Sequence, residues 1–142
     1  MKPQKNAILI TILLTLLAAC TPAAGPESGL AGTRWELQSL DSNDQIGAAI
    51  GRQPITLNFS SGTEAEGSGG CNSFGGSYQA DASAGAITFS DLISTLMACE
   101  GEGIGEAEAL YFLALNAATN YTISGGTLTI TGGTHTLIFV RA

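Results

Sequence analysis

Basic side chains are nearly missing from this chain: five lysines and arginines stand against twelve aspartates and glutamates in 142 residues. Lys2 and Lys5 lie at the very start, so beyond them only Arg34, Arg52 and Arg141 remain. So cation-poor a surface excludes a nucleic-acid partner, because affinity for a phosphate backbone comes from clustered lysine and arginine. It also excludes peripheral docking on anionic lipid through a basic patch. The single histidine, His135, excludes a multi-histidine metal centre. Catalytic motifs are missing too: there is no G-x-S-x-G, no H-E-x-x-H, no phosphate-binding loop and no calcium loop of the D-x-D-x-D-G type. Gly101-x-Gly103-x-Gly105 has neither the spacing nor the preceding strand of a dinucleotide fingerprint. Nothing in the spacing supports a triad of Ser73, His135 and Asp91. No enzyme activity, cofactor or metal is expected.

What is present begins with MKPQKNAILITILLTLLAAC. Two lysines precede an uncharged apolar run from Ala7 to Leu17, the length of a secretory signal's central region and shorter than the roughly 20 residues a bilayer span needs. Small residues ending at Cys20 resemble the lipobox of bacterial lipoproteins. That resemblance implies a signal peptide over 1–19 and a mature chain starting at an acylated Cys20, tethered to the membrane of the cell envelope. Several acyl chains, at about 0.8 kcal/mol per buried methylene, would anchor it firmly. Thr21 in place of Asp implies the outer membrane, on its periplasmic side, in a diderm host. Residues 20–29 are rich in small residues and proline and read as a spacer, leaving one domain over 30–142. The mature chain carries three arginines against twelve acids, a formal charge of −9, which favours solubility and could attract basic partners.

Export changes the reading of the other two cysteines. An oxidising compartment favours a Cys71–Cys99 disulfide over free thiols or zinc, closing a loop worth roughly 3.6 kcal/mol by chain entropy. A cysteine nucleophile would need a base, and His135 is distant in sequence. Met97 reads as core filler rather than a metal ligand.

Strand patterns dominate the chain. Trp35 and Leu37 alternate with charged or polar residues, as do Ile55, Leu57 and Phe59. Ser60-Ser61-Gly62 suggests a turn into a strand over 64–68, and Asp41 to Ala48 reads as a loop. The glycine-dense SGGCNSFGGSYQADASAGA offers few large apolar residues apart from Phe74 and Tyr78, and without a disulfide it would be hard to hold in one conformation. Short strand-like runs follow at 86–89 and 92–96. EAEALYFLALNAA, residues 106–118, predicts the one helix, with Leu110, Leu113, Ala114 and Ala117 on a common face. Glu106 and Glu108 fall in its first turn, where the helix dipole favours negative charge. Strands at 121–124, 127–131 and 134–141 close the chain as hairpins. The continuous apolarity of TLIFV predicts a central strand or one covered on both faces. Asn58 and Asn120 match glycosylation sequons, read as coincidence in a bacterial lipoprotein.

Three separated signatures then come together: Gly32-Thr33-x-Trp35-x-Leu37, Gly70-Cys71-Asn72-Ser73-Phe74-Gly75-Gly76-Ser77-Tyr78, and Ser94-Thr95-Leu96-Met97-Ala98-Cys99. With Tyr121-x-Ile123-x-Gly125-x-x-Leu128-x-Ile130 they resemble the META domain family over about residues 30–140. The resemblance implies an α+β fold, a mainly antiparallel, barrel-like sheet with one packed helix. It also implies association with envelope stress, drug tolerance and virulence, without a defined reaction.

The function expected from these features is that of a membrane-anchored, non-enzymatic envelope lipoprotein that binds an envelope protein, a peptide or a small apolar ligand. A barrel interior or mouth could hold the apolar ligand. The candidate binding surface comprises Trp35, Asn72, Ser73, Phe74 and Tyr78, with Trp35 suited equally to a core or a groove edge. The alternative is an inhibitor of a secreted protease or lysozyme that acts through a rigid exposed loop over 67–78.

Overall fold

The structure, a computed structural model, describes residues 29–41 and 53–142. The expected signal segment, Cys20 with most of its spacer, and most of the expected loop after Asp41 lie outside the described residues.

Period-two alternation builds the strands. In β1 (Thr33–Leu40), Trp35 and Leu37 point inward between polar neighbours. Leu57 and Phe59 do the same in β2 (Thr56–Phe59), and Ala65 in β3 (Glu64–Ser68). Phe74 and Tyr78 are buried in β4 (Ser73–Asp81), and Ile87 and Phe89 in β5 (Ala86–Ser94). After the helix α1 (Ile104–Asn116) come β6 (Asn120–Ser124), β7 (Thr127–Gly132) and β8 (His135–Arg141). Successive strands pair antiparallel and β8 returns to β1, with Leu37 opposite Phe139, so the sheet closes as an eight-stranded barrel. The α+β, barrel-like fold implied by the family resemblance is therefore the one adopted. Closure shortens the open sheet edges that otherwise invite aggregation. The seam between β5 and β6 is the narrowest, paired at Ala86 and Asn120 alone. The helix that joins these two strands packs against β5, β7 and β8.

Two local expectations need correction, and two open readings are resolved. The glycine-dense middle forms the nine-residue strand β4. Gly76 serves close approach there: a Cβ would come within 2.9 Å of the Ser90 and Asp91 carbonyl oxygens, where the β4–β5 register shifts and Asp91 takes a positive φ of 54°. The two short runs after it are one continuous strand, β5. The helix buries Ala107, Glu108, Tyr111, Ala114 and Leu115, whereas Leu113 is 58% exposed; the buried stripe is rotated from the predicted one and includes a polar residue that hydrophobic periodicity does not count. Finally, of the two readings of TLIFV the first holds: β8 is paired on both sides, with β7 and β1, but covered on one face only, Leu137 and Phe139 pointing inward while Val140 is exposed, as a single-layer barrel wall requires.

Side chains fill the interior. Trp35, Leu37, Leu57, Phe59, Leu128 and Phe139 retain no accessible area, which leaves no void beside them large enough for water. Tyr78 packs edge-on to Phe59 at 4.7 Å between ring centroids. This packing leaves no room for an apolar ligand inside the barrel.

The residue that caps the helix C-terminus lies hard against the barrel at Gly132, where a Cβ would be 1.8 Å from the Ala117 carbonyl oxygen. Gly132→Ala is expected to destabilise the fold by about 1–3 kcal/mol, the usual cost of overpacking. Urea unfolding checks this through a lowered midpoint at unchanged slope.

Candidate binding site

Beyond β3 the chain turns through Gly69 and Gly70 to Cys71, which is bonded to Cys99 with Cα atoms 5.8 Å apart. The carboxylate of Glu108 reaches this turn from the helix. Its Oε1 accepts from the backbone N–H of Asn72 at 2.6 Å and of Cys71 at 3.3 Å, and its Oε2 accepts from the Asn72 side-chain amide at 2.7 Å. Glu108 is 7% exposed, and these donors offset the cost of burying its polar oxygens. Its role is thus a tertiary clamp rather than the helix-dipole electrostatics expected from its position; Glu106, exposed in the first turn, keeps that role. The clamp explains Gly69, where a Cβ would meet Glu108 Oε1 at 2.5 Å.

Glu108 also orients Asn72. A carboxylate accepts and does not donate, so the NH2 of Asn72 must face it and Oδ1 must face away. That oxygen accepts from the Thr95 hydroxyl at 2.9 Å and from the Met97 N–H at 2.7 Å. The Thr95 N–H donates to the Ser73 carbonyl at 3.0 Å. Residues 95–100, which follow β5, form neither strand nor turn and are held by these bonds and by Cys99. Among their exposed side chains, which include Thr95 and Glu100, two are large and apolar, Leu96 at 95% and Met97 at 61%, and Ile93 in the end of β5 is 75% exposed beside them in sequence. Met97 is therefore not core filler. Beside it a surface cleft of about 370 Å³ is lined by Gln53, Gly70, Cys71, Met97, Cys99 and Ile104 among others.

Of the five residues expected to form a binding surface, four are inside. Trp35 is fully buried, its indole N–H donating to Thr33 Oγ1 at 2.6 Å and its ring lying 4.6 Å from the Arg141 guanidinium carbon. Phe74 packs edge-on to Tyr111 and Phe112. The Tyr78 hydroxyl donates to the Ser61 carbonyl, and Asn72 is buried under the 95–97 segment. Ser73 alone stays exposed. The structure joins Asn72, Cys71 and Cys99 to Glu108, Thr95, Leu96 and Met97, while Trp35 and Tyr78 belong to the barrel core. Sequence reasoning missed Glu108, Thr95 and Leu96. One signal was available for Glu108, which stands three residues before Tyr111 and seven before Leu115 on the helix's buried face.

His135 and Tyr111 are engaged elsewhere. His135 Nδ1 lies 2.6 Å from Asp41 Oδ2, not at Asp91, and Asp41 Oδ1 accepts from the Thr136 N–H. Slight burial raises the Asp41 pKa, but the bonds from His135 and Thr136 and the imidazole's charge outweigh it and hold the carboxyl below its usual range. Burial pushes the Tyr111 phenol well above its ordinary value, and it donates to the Thr56 carbonyl. Ligand atoms of Cys71, Cys99 and Glu108 lie within 4.8 Å of one another. With both sulfurs joined, that set has no thiolate to offer a metal.

Fold and site together define a small, closed antiparallel β-barrel with one packed helix and a disulfide-braced apolar segment at its surface. The chain belongs to the META domain family, whose model matches residues 28–142. It is similar to a protein from Burkholderia xenovorans solved by NMR, at 27% identity and a TM-score of 0.62, covering 100% of this chain and 97% of that one. A second NMR structure is 22% identical with a TM-score of 0.65 over 81% of this chain and 93% of its own. A DUF4847 family protein from Bacteroides vulgatus shares the fold at 16% identity and a TM-score of 0.54, covering 80% and 95%. No curated protein matches.

Glu108→Ala leaves the Asn72 amide and two backbone N–H groups without their acceptor, and is expected to cost about 3–5 kcal/mol, the usual loss when one partner of a buried charged arrangement is removed. Glu108→Gln keeps an acceptor and should cost less. Denaturant titration of the two oxidised variants checks the order.

Proposed function

We propose that this chain is a membrane-anchored, non-enzymatic lipoprotein of the cell envelope that works by binding, with residues Thr95 to Cys99 as its contact segment. The observation that carries the reading is a nearly fully exposed leucine held rigidly. Leu96 stands between two residues pinned to Asn72, on a segment cross-linked at Cys99. Exposing leucine and methionine side by side forgoes about 1.5–3 kcal/mol of burial for each, which docking would recover. Because the segment is already ordered, a partner need not supply its ordering entropy. The filled interior favours a protein or peptide partner over a small ligand.

The lipobox-like Leu17-Ala18-Ala19-Cys20 supports acylation at Cys20, and the small, proline-containing residues after it support a tether. Anchoring would place the contact segment in the envelope, at the outer membrane's periplasmic side in a diderm host. The inhibitor reading is the alternative, favoured by the extended course of residues 95–100, which replaces the 67–78 loop expected for that role.

Two measurements test the proposal. Cys20→Ala should shift the protein from the membrane fraction to the soluble one and abolish palmitate labelling. The double variant Leu96→Asp, Met97→Asp should unfold within a few degrees of the parent, yet bind the envelope partner retained by the parent at least about tenfold more weakly, a loss of about 1.4 kcal/mol. Equal retention by parent and variant would falsify the assignment of the contact segment.

A further inference from the structure

The bonds that hold the contact segment are arranged around one peptide bond, Leu96–Met97. On its N-terminal side, Thr95 is held twice, through its N–H to the Ser73 carbonyl and its hydroxyl to Asn72 Oδ1. On its C-terminal side the Met97 N–H donates to the same Asn72 oxygen, and Cys99 follows two residues later in the disulfide. A trans peptide carries its N–H and C=O in opposite directions, and no peptide bond among the described residues is cis. With the Met97 N–H directed inward to Asn72, the Leu96 carbonyl is directed the opposite way, away from Asn72. The Leu96 side chain, 95% exposed, is outward. No residue from 95 to 100 has a positive φ, and none lies in a turn or bend. The segment is an extended backbone that presents one large apolar side chain and the adjoining carbonyl together.

We infer that residues Thr95 to Cys99 form a substrate-like inhibitory segment for a serine endopeptidase with a large apolar primary pocket, Leu96 filling that pocket. This deepens the reading of the same segment as the contact site and rests on it. An endopeptidase fits because its cleft takes an extended chain, buries one side chain and approaches one carbonyl.

The brace explains why such a segment would inhibit rather than be consumed. Attack by the enzyme's serine oxygen on the Leu96 carbonyl carbon forms the ester and breaks the Leu96–Met97 C–N bond. The hydroxyl proton passes through the enzyme's base to the Met97 nitrogen. In a free peptide that new amine diffuses away and water completes hydrolysis. Here Asn72 and the Cys71–Cys99 bond keep it beside the ester, so re-formation of the peptide bond competes at high effective concentration. Glu108 acts one step further back, as a positioning residue that fixes which way the Asn72 amide faces.

The test uses the mature domain with its disulfide intact and three purified serine endopeptidases that prefer large apolar, small apolar and arginine residues at the cleavage site. The parent is expected to inhibit the first with a constant of about 10 µM or below and to remain mostly uncut. Leu96→Arg should weaken that inhibition by about 100-fold and transfer it to the arginine-specific enzyme, the scale expected when a pocket meets the wrong side chain. Thr95→Val, which removes one exposed-side bond to Asn72 without touching the core, should speed cleavage after Leu96 at least about tenfold. Rapid cleavage of the parent, inhibition unchanged by Leu96→Arg, or no inhibition by either protein would overturn the inference. An envelope partner lost on Leu96→Asp, Met97→Asp that lacks peptidase activity would overturn it too, yet leave the contact segment standing.

Discussion

The carboxylate of Glu108 is the point on which the outer part of this structure turns. It lies inside the protein without a cationic partner among the described contacts, and its oxygens are satisfied by the N–H groups of Cys71 and Asn72 and by the Asn72 amide. A carboxylate can only accept, so its presence dictates that Asn72 offers its oxygen to the far side. From that orientation follow the bonds to Thr95 and Met97, and from those the outward display of Leu96. The disulfide acts on the same two chain segments but constrains them differently. It limits how far residues 71 and 99 can separate, whereas the Asn72 bonds fix which atoms of the intervening segment face in.

The barrel supplies the rigid base. Its interior is occupied by large side chains, and the chain leaving the helix at Ala117 and Ala118 approaches β7 closely enough to require glycine at position 132. A core so filled cannot also be a ligand cavity, and any recognition must be carried on the outside. The outside is acidic and poor in cations, with the exposed apolar residues Ile93, Leu96 and Met97 gathered near the end of β5 and just beyond it. Exposed leucines scattered singly need no explanation; one fixed by a network of buried hydrogen bonds does. Buried polar networks are costly when incomplete, and this one is complete at Glu108 and Asn72.

Much of the fold was legible in the residues. Alternation in Trp35–Leu37 and Leu57–Phe59 reads directly as half-buried strand, and Gly125-Gly126 and Gly132-Gly133 mark the last two hairpins. The β4 strand was not legible because glycine carries no pattern of its own, and its reason lies in the backbone of β5, which approaches Gly76 too closely for a side chain. The helix stripe differs from the predicted one because hydrophobicity alone favours Leu113, while the buried face carries Glu108 with Tyr111, Ala114 and Leu115. The candidate site was partly legible: Cys71, Cys99 and Asn72 belong to it, but Trp35, Phe74 and Tyr78 are aromatic residues that the core claimed.

By itself the sequence determined the strand periodicity, the shortage of cations, the absence of catalytic signatures and the pair of cysteines available to each other, because each of these is a property of residue type and spacing. Tertiary structure alone decided that the interior is full, that a helix glutamate clamps a turn 36 residues away, and that Leu96 faces solvent beside a fixed carbonyl. Those outcomes depend on which groups compete for the same space and the same donors, and that competition exists only once distant segments are brought together.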